Sequence, residues 1–177
     1  MFIFGVIFAL VAGILFGLIG PTTKIAYNSG ASVALTIFLR YAVASIIILP
    51  FIPYQNNLLE IFKKNLKYFL SISAGSILLT LGLLTSVIFI EVSLTILIFC
   101  LYPIYVLLFS IIVDKEKISL TVKILFFVTF LGIVLVIGPS FKVINIVGIL
   151  LAFLASLGST SMIIVNQKMS IKGISPI

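Results

Sequence analysis

The chain has 177 residues, 63% of them hydrophobic and 8% charged, with a formal net charge of +7 and a mean hydropathy of +1.46. Soluble domains use roughly 45–50% apolar and about 25% charged residues, so a water-soluble globule is excluded and the chain reads as an integral membrane protein. Histidine is absent and the acids are Glu60, Glu91, Asp114 and Glu116; no metal cluster, Ser-His-Asp triad or paired intramembrane carboxylate can be assembled from that set. The expectation is therefore a protein that is not an enzyme and has neither metal nor cofactor.

A transmembrane helix needs about 20 apolar residues, and polar or Pro/Gly interruptions leave six such stretches: 3–23, 33–52, 68–90, 92–113, 119–138 and 146–165. The runs are continuous rather than alternating, which argues against barrel strands and predicts an all-α polytopic membrane bundle of about six helices. The first span lacks a basic leader and is followed by five more, so it reads as a retained helix rather than a signal peptide. Along it Ala9, Gly13, Gly17 and Gly20 make a smooth ridge suited to close helix packing. Pro21 removes a backbone bond near its end, and Thr22, Thr23 and Lys24 follow. "NSGAS" at 28–32 then supplies a Gly-x-Ser turn.

The second span carries the only arginine, Arg40, about 10 Å inside the helix. Such a residue reads either as an anchor snorkelling to the headgroups or as a functional group at the mouth of a pathway. Residues 54–67 place Leu58, Leu59, Phe62 and Leu66 opposite Lys63, Lys64 and Lys67, the pattern of a helix lying on the membrane surface. A single helix from 68 to 113 would be about 69 Å long, more than twice a bilayer. A tight hairpin near Glu91 is predicted instead. Glu91 is read as a water-reached turn residue rather than a coupling carboxylate, and lone Cys100 as packing.

In the fourth span Pro103 predicts a kink that frees the carbonyl of residue 99, with Tyr102 and Tyr105 flanking it as candidates to line a cavity. "DKEK" at 114–117 reads as a solvated turn. The sixth span offers a second smooth ridge at Ala152, Ser156 and Ser159 or Thr160. Six crossings put both termini and the loops at 53–67 and 114–118 on one side, with Lys63, Lys64, Lys67, Lys115, Lys117, Lys168 and Lys172, leaving Lys24 and Lys142 in loops on the other. Cytoplasmic loops collect Lys and Arg, so the N-terminus is expected in the cytoplasm. The basic balance thus reports orientation and lipid attraction, and no nucleic-acid partner is expected.

Shifting residues 5–32 by 143 positions aligns Gly5, Ala9, Ala12, Gly30 and Ser32 with Gly148, Ala152, Ala155, Gly173 and Ser175. Residues 1–139 then form one five-helix unit, and 140–177 open a second. Five is odd, so the second unit enters from the opposite side. Inverted repeats of this kind characterise secondary transporters.

At this point "ALVAGILFGLIGPTTKIAYNSGAS", "TIFLRYAVASIIILP", "FIEVSLTILIFCLYPIYVLLFSIIVDKEKIS" and "FLGIVLVIG" resemble, in order, helices one, two, four and five of the EamA family of the drug/metabolite transporter superfamily. Glu116 takes the place of the family's loop glutamate, whereas the tryptophan frequent in its first helix is absent and Phe16 sits nearest that place. The resemblance implies ten helices in two inverted repeats, of which this chain would hold the first repeat and the opening helix of the next. It also implies a central cavity approached by the first and sixth helices, with Thr22, Thr23, Ser159 and Thr160 facing substrate. The implied function is alternating-access transport of small metabolites, amino acids or drug-like solutes across a bacterial inner membrane. A chain that is complete as given would have to dimerise to build a pathway. The competing reading is a non-transporting scaffold or inactive transporter fragment.

Overall fold

A computed structural model describes residues 2–51, 62–113, 115, 119–137 and 145–171, and helix is the only regular structure among them. The helices are α1 (Phe2–Gly17), α2 (Ile19–Asn28), α3 (Val33–Ile48), α4 (Leu66–Phe89), α5 (Val92–Phe99), α6 (Tyr102–Ile112), α7 (Leu120–Ile137) and α8 (Ile146–Ile171), with a 3₁₀ turn at Leu49–Phe51. Four stretches are long and apolar enough to cross a membrane: Phe4–Asn28, Leu66–Phe89, Val92–Ile112 and Ile146–Ser170. The expectation of six spans is met in full length by these four. Helix α3 is shorter because Pro50 cannot continue an α-helix, and its end tightens into the 3₁₀ turn.

The punctuation in "NSGAS" has a clear geometry. Gly30 adopts φ of 90°, Gly30 N–H donates to Tyr27 at 3.0 Å and Ala31 N–H to Ala26 at 3.0 Å. This is the Schellman ending of α2, for which the left-handed glycine is suited. Two residues on, the Ser32 hydroxyl accepts from Leu35 N–H at 3.2 Å and caps α3. Stop and restart are encoded side by side. The hairpin between α4 and α5 turns at Ile90 and Glu91, both extended, with Glu91 as half-buried N-cap.

The most extensive contact joins α4 to α8. A Cβ added at Gly75 would lie 2.9 Å from the Gly158 carbonyl, one at Gly82 2.8 Å from Ala155 N, and one at Gly158 2.6 Å from Leu79 N. At the hairpin end Gly148 faces Phe89 and Ile90. As α4 ascends from 75 to 89 its partner descends from 158 to 148, so the two helices are antiparallel and touch backbone to backbone. Ala152, Ala155 and Ser156 are fully buried. Because α5 and α6 lead away from the hairpin end and α8 starts back at it, α7 must return the chain across the bundle. Its 18 residues cover about 27 Å, close to the hydrocarbon thickness.

Two sequence expectations change here. Lys24 is not in a loop: α2 runs to Asn28, and the half-buried ammonium donates to the Val87 carbonyl at 2.8 Å. That carbonyl belongs to the last turn of α4, where helix acceptors lack intrahelical donors and a cation is favoured. Leu66 and Lys67 open α4 rather than ending a surface helix. Of that helix, residues 54–61 lie outside the described residues, as do Asp114, Glu116, Lys117, Lys142, Lys172, Gly173 and Ser175. Elsewhere Tyr41 on α3 hydrogen-bonds Thr80 at 2.6 Å and Ser76 at 3.1 Å, tying α3 to α4.

Gly82→Ala and Gly158→Ala are each expected to lower the stability of the purified chain by about 1–3 kcal/mol, since the methyl meets backbone. Gly13→Ala, where nothing lies within 4 Å of the new Cβ, should be neutral or stabilising by at most ~1 kcal/mol. Thermal unfolding in detergent reads the difference. Lys24→Met should cost about 1 kcal/mol and raise amide exchange in the Ser86–Ile90 turn, with Lys24→Arg restoring most of the protection.

Candidate functional site

Two proline residues interrupt two neighbouring helices. Pro21 has no N–H to give Gly17, and the helical run breaks at Leu18 between α1 and α2. Pro103 likewise deprives Phe99, and the chain from α5 to α6 turns through Cys100 and Leu101, with Leu101 N–H donating to Ile98 at 3.1 Å and Ile104 N–H to Leu101 at 2.9 Å. These i−3 bonds tighten the chain locally and aim the first turn of α6 anew. The rings of Phe16 and Phe99, one beside each break, stand 6.1 Å apart, and Tyr102 lies tilted against Phe99 at 5.3 Å.

Between the breaks lies a cavity of about 410 Å³, walled by α1–α2 (Phe16, Gly17, Gly20), α4 (Leu79, Leu83, Val87), α5 and the break (Thr95, Ile96, Cys100, Tyr102) and α8 (Ser159, Ile163). Gly20 lets α2 approach α5, for a Cβ there would overlap Val92. The α4–α8 interface forms the floor of this space, and Leu83, Phe99 and Ala155 share one buried cluster beneath it.

The polar groups at the cavity divide into committed and free. The Ser86 hydroxyl is 3.0 Å from the Thr95 hydroxyl and 3.1 Å from the Leu83 carbonyl, so Thr95 has a partner inside the protein. Ser159 is 9% exposed and has no hydrogen-bond partner among the described residues. The Tyr102 hydroxyl is likewise unpaired among them. Thr160, one residue on, donates to Ser156 at 2.9 Å and reaches the Tyr102 carbonyl at 3.3 Å, which joins α8 to the broken helix.

Of the residues singled out from sequence, the cavity brings together Tyr102, Ser159, Gly17 and Gly20. Thr160 supports it from behind. Thr22 is exposed and donates to its own Leu18 carbonyl at 2.6 Å, and Thr23 is buried on α2 away from the lining. Tyr105 packs on Phe153 at 5.6 Å. Pro103 lines a second, smaller cleft of about 260 Å³ against Leu125 and Phe126 of α7. Arg40 is exposed on α3, with no ion pair or hydrogen bond among the described residues. Around Gly13 and Gly17 a Cβ would meet nothing within 4 Å, so of the glycines on that ridge only Gly20 packs closely among the described residues.

Sequence reasoning passed over Gly75 and Gly82, whose seven-residue spacing on α4 was the available signal for a close helix partner. It also passed over Ser86, Thr95 and Tyr41, whose pairings depend on helix rotation. No group of three or more His, Cys, Asp or Glu able to hold a metal ion occurs among the described residues.

No curated protein and no solved structure matches the chain. The EamA-like transporter family matches it over residues 3–138, from α1 through the end of α7. A multi-pass helical membrane protein matched by that family over well more than half its length is a member of it: this chain belongs to the EamA-like transporter family.

Proposed function

We propose that the chain carries small solutes, metabolites or drug-like compounds and amino acids among them, by alternating access through the cavity between α1–α2, the α4–α5 hairpin and α8. The observation that carries the reading is the meeting of two proline-broken helices at one cavity. Interrupted helices at membrane depth are tolerated where they line such a space, and transporter sites use them. Each break is a point where one half of a helix can reorient while the other stays packed. Segments Phe4–Asn28 and Val92–Ile112 would rock against the α4–α8 pair, opening the cavity at the hairpin end and at the opposite end in turn. No covalent chemistry is needed.

On this reading α8 opens a second, inverted repeat, the N-terminus is cytoplasmic and the membrane is a bacterial inner membrane. The recurrence of Gly5, Ala9 and Ala12 as Gly148, Ala152 and Ala155 supports the repeat. The lysine-rich flanks support the orientation.

Spin-label pairs at Asn28 and Ile146 for the hairpin end, and at Phe4 and Ser170 for the other, test the motion in proteoliposomes. Two distance populations at each end are expected, with opposite changes at the two ends. Pro103→Ala restores a donor to Phe99 and should shift the ratio of populations about fivefold, the effect of roughly 1 kcal/mol. A single narrow distance at both ends, unchanged by Pro103→Ala, would favour a scaffold over a transporter.

A further inference from the structure

We infer that the cavity takes uncharged solutes with a largely apolar body and one hydrogen-bonding group, which pairs with the Ser159 hydroxyl, and that it rejects ions and amino-acid zwitterions. The inference rests on the transport reading of this cavity and narrows its substrate class, removing amino acids from it.

None of the residues lining the cavity among the described ones is Lys, Arg, Asp or Glu. The charged residues nearest in sequence to the lining, Lys24 and Glu91, stand at the hairpin end, and neither lines it. The Lys24 ammonium already donates to the Val87 carbonyl at 2.8 Å. An ion entering a space walled by Leu, Ile, Val and Phe would lose its hydration without a counter-charge, and that loss is prohibitive. A neutral body loses nothing comparable and gains apolar contact.

Ser159 supplies the polar complement. It is more than nine-tenths buried, it lines the cavity, and its hydroxyl has no partner among the described residues. Its hydroxyl is reached through the cavity, so a ligand that covers it without pairing strands it at a cost, and a ligand group that pairs with it is favoured over one that does not. Thr95 cannot serve equally, because Ser86 holds its hydroxyl, and Tyr102 is only half-buried whereas Ser159 is buried.

The only cysteine of the chain, Cys100, lines both this cavity and the cleft beside α7, so its protection by a ligand in the cavity reports on the cavity without any substitution. The full chain in proteoliposomes would be treated with three thiosulfonates of similar reach, neutral, anionic and cationic, each rate normalised to a free thiol in water. The neutral reagent is expected to modify Cys100 at least ~100-fold faster than either ion. 2-Phenylethanol should protect Cys100, and phenylalanine, with the same ring plus two charges, should not. Ser159→Ala should raise the half-protecting concentration about fivefold, and Ser159→Leu, which fills the cavity, should abolish protection without stopping reaction through the cleft beside α7.

Comparable rates for charged and neutral reagents, or protection by phenylalanine, would overturn the exclusion of ions while leaving the cavity as a solute site. Protection unchanged in both Ser159 variants would overturn the pairing. Failure of every reagent on the folded chain, with full reaction after denaturation in dodecyl sulfate, would overturn the cavity itself and the transport reading with it.

Discussion

Backbone-to-backbone contact between α4 and α8 is the constraint on which the rest depends. In lipid no hydrophobic force drives helices together, so association relies on close packing and on polar pairs. Gly75, Gly82 and Gly158 remove the side chains that would hold the axes apart, and Gly148 does the same at the hairpin end. Once α4 and α8 touch, Ser156 and Ala155 are buried, Thr160 reaches the carbonyl of Tyr102, and Ser159 is left facing the space on one side of the pair. The tight pair fixes one wall; the cavity exists because the opposite wall does not close on it.

That opposite wall is made of interrupted helices. Proline breaks both α1–α2 and α5–α6, and the aromatic rings of Phe16, Phe99 and Tyr102 meet between the breaks. Lys24 holds the middle of α2 to the last turn of α4, where a cation complements unpaired carbonyls. A rigid pair, two hinged helices and a tether at one end together form a structure in which one wall can tilt while the other stays. The side chains along the cavity are apolar with two free hydroxyls, which suits recognition of a solute by shape and a single polar contact.

Much of this was legible in the sequence because the signals are local. Continuous apolar runs marked the helices, Gly30 and Ser32 marked a stop and a restart, and Glu91 marked a hairpin with almost no loop. The prolines marked both breaks, and the small-residue ridge of the sixth span marked a packed face. What was not legible depends on helix rotation and partner choice. The ridge at Gly13 and Gly17 looks much like the ridge at Ala152 and Ser156, yet among the described residues only the second is occupied. Lys24 read as a loop residue because charge normally ends a span; a carbonyl on another helix allowed α2 to continue past it. Gly75 and Gly82 drew no notice because a glycine in a membrane helix is common, and its meaning comes from the neighbour it admits.

The central claim is that the two helix breaks face each other across one cavity. Oxidative cross-linking with copper phenanthroline of a Phe16→Cys, Phe99→Cys pair, in a Cys100→Ser chain, tests it most directly. The account predicts an intramolecular disulfide at this pair and none for Phe4→Cys with Phe99→Cys. Two thiols at 16 and 99 that alkylate freely yet never link would contradict it.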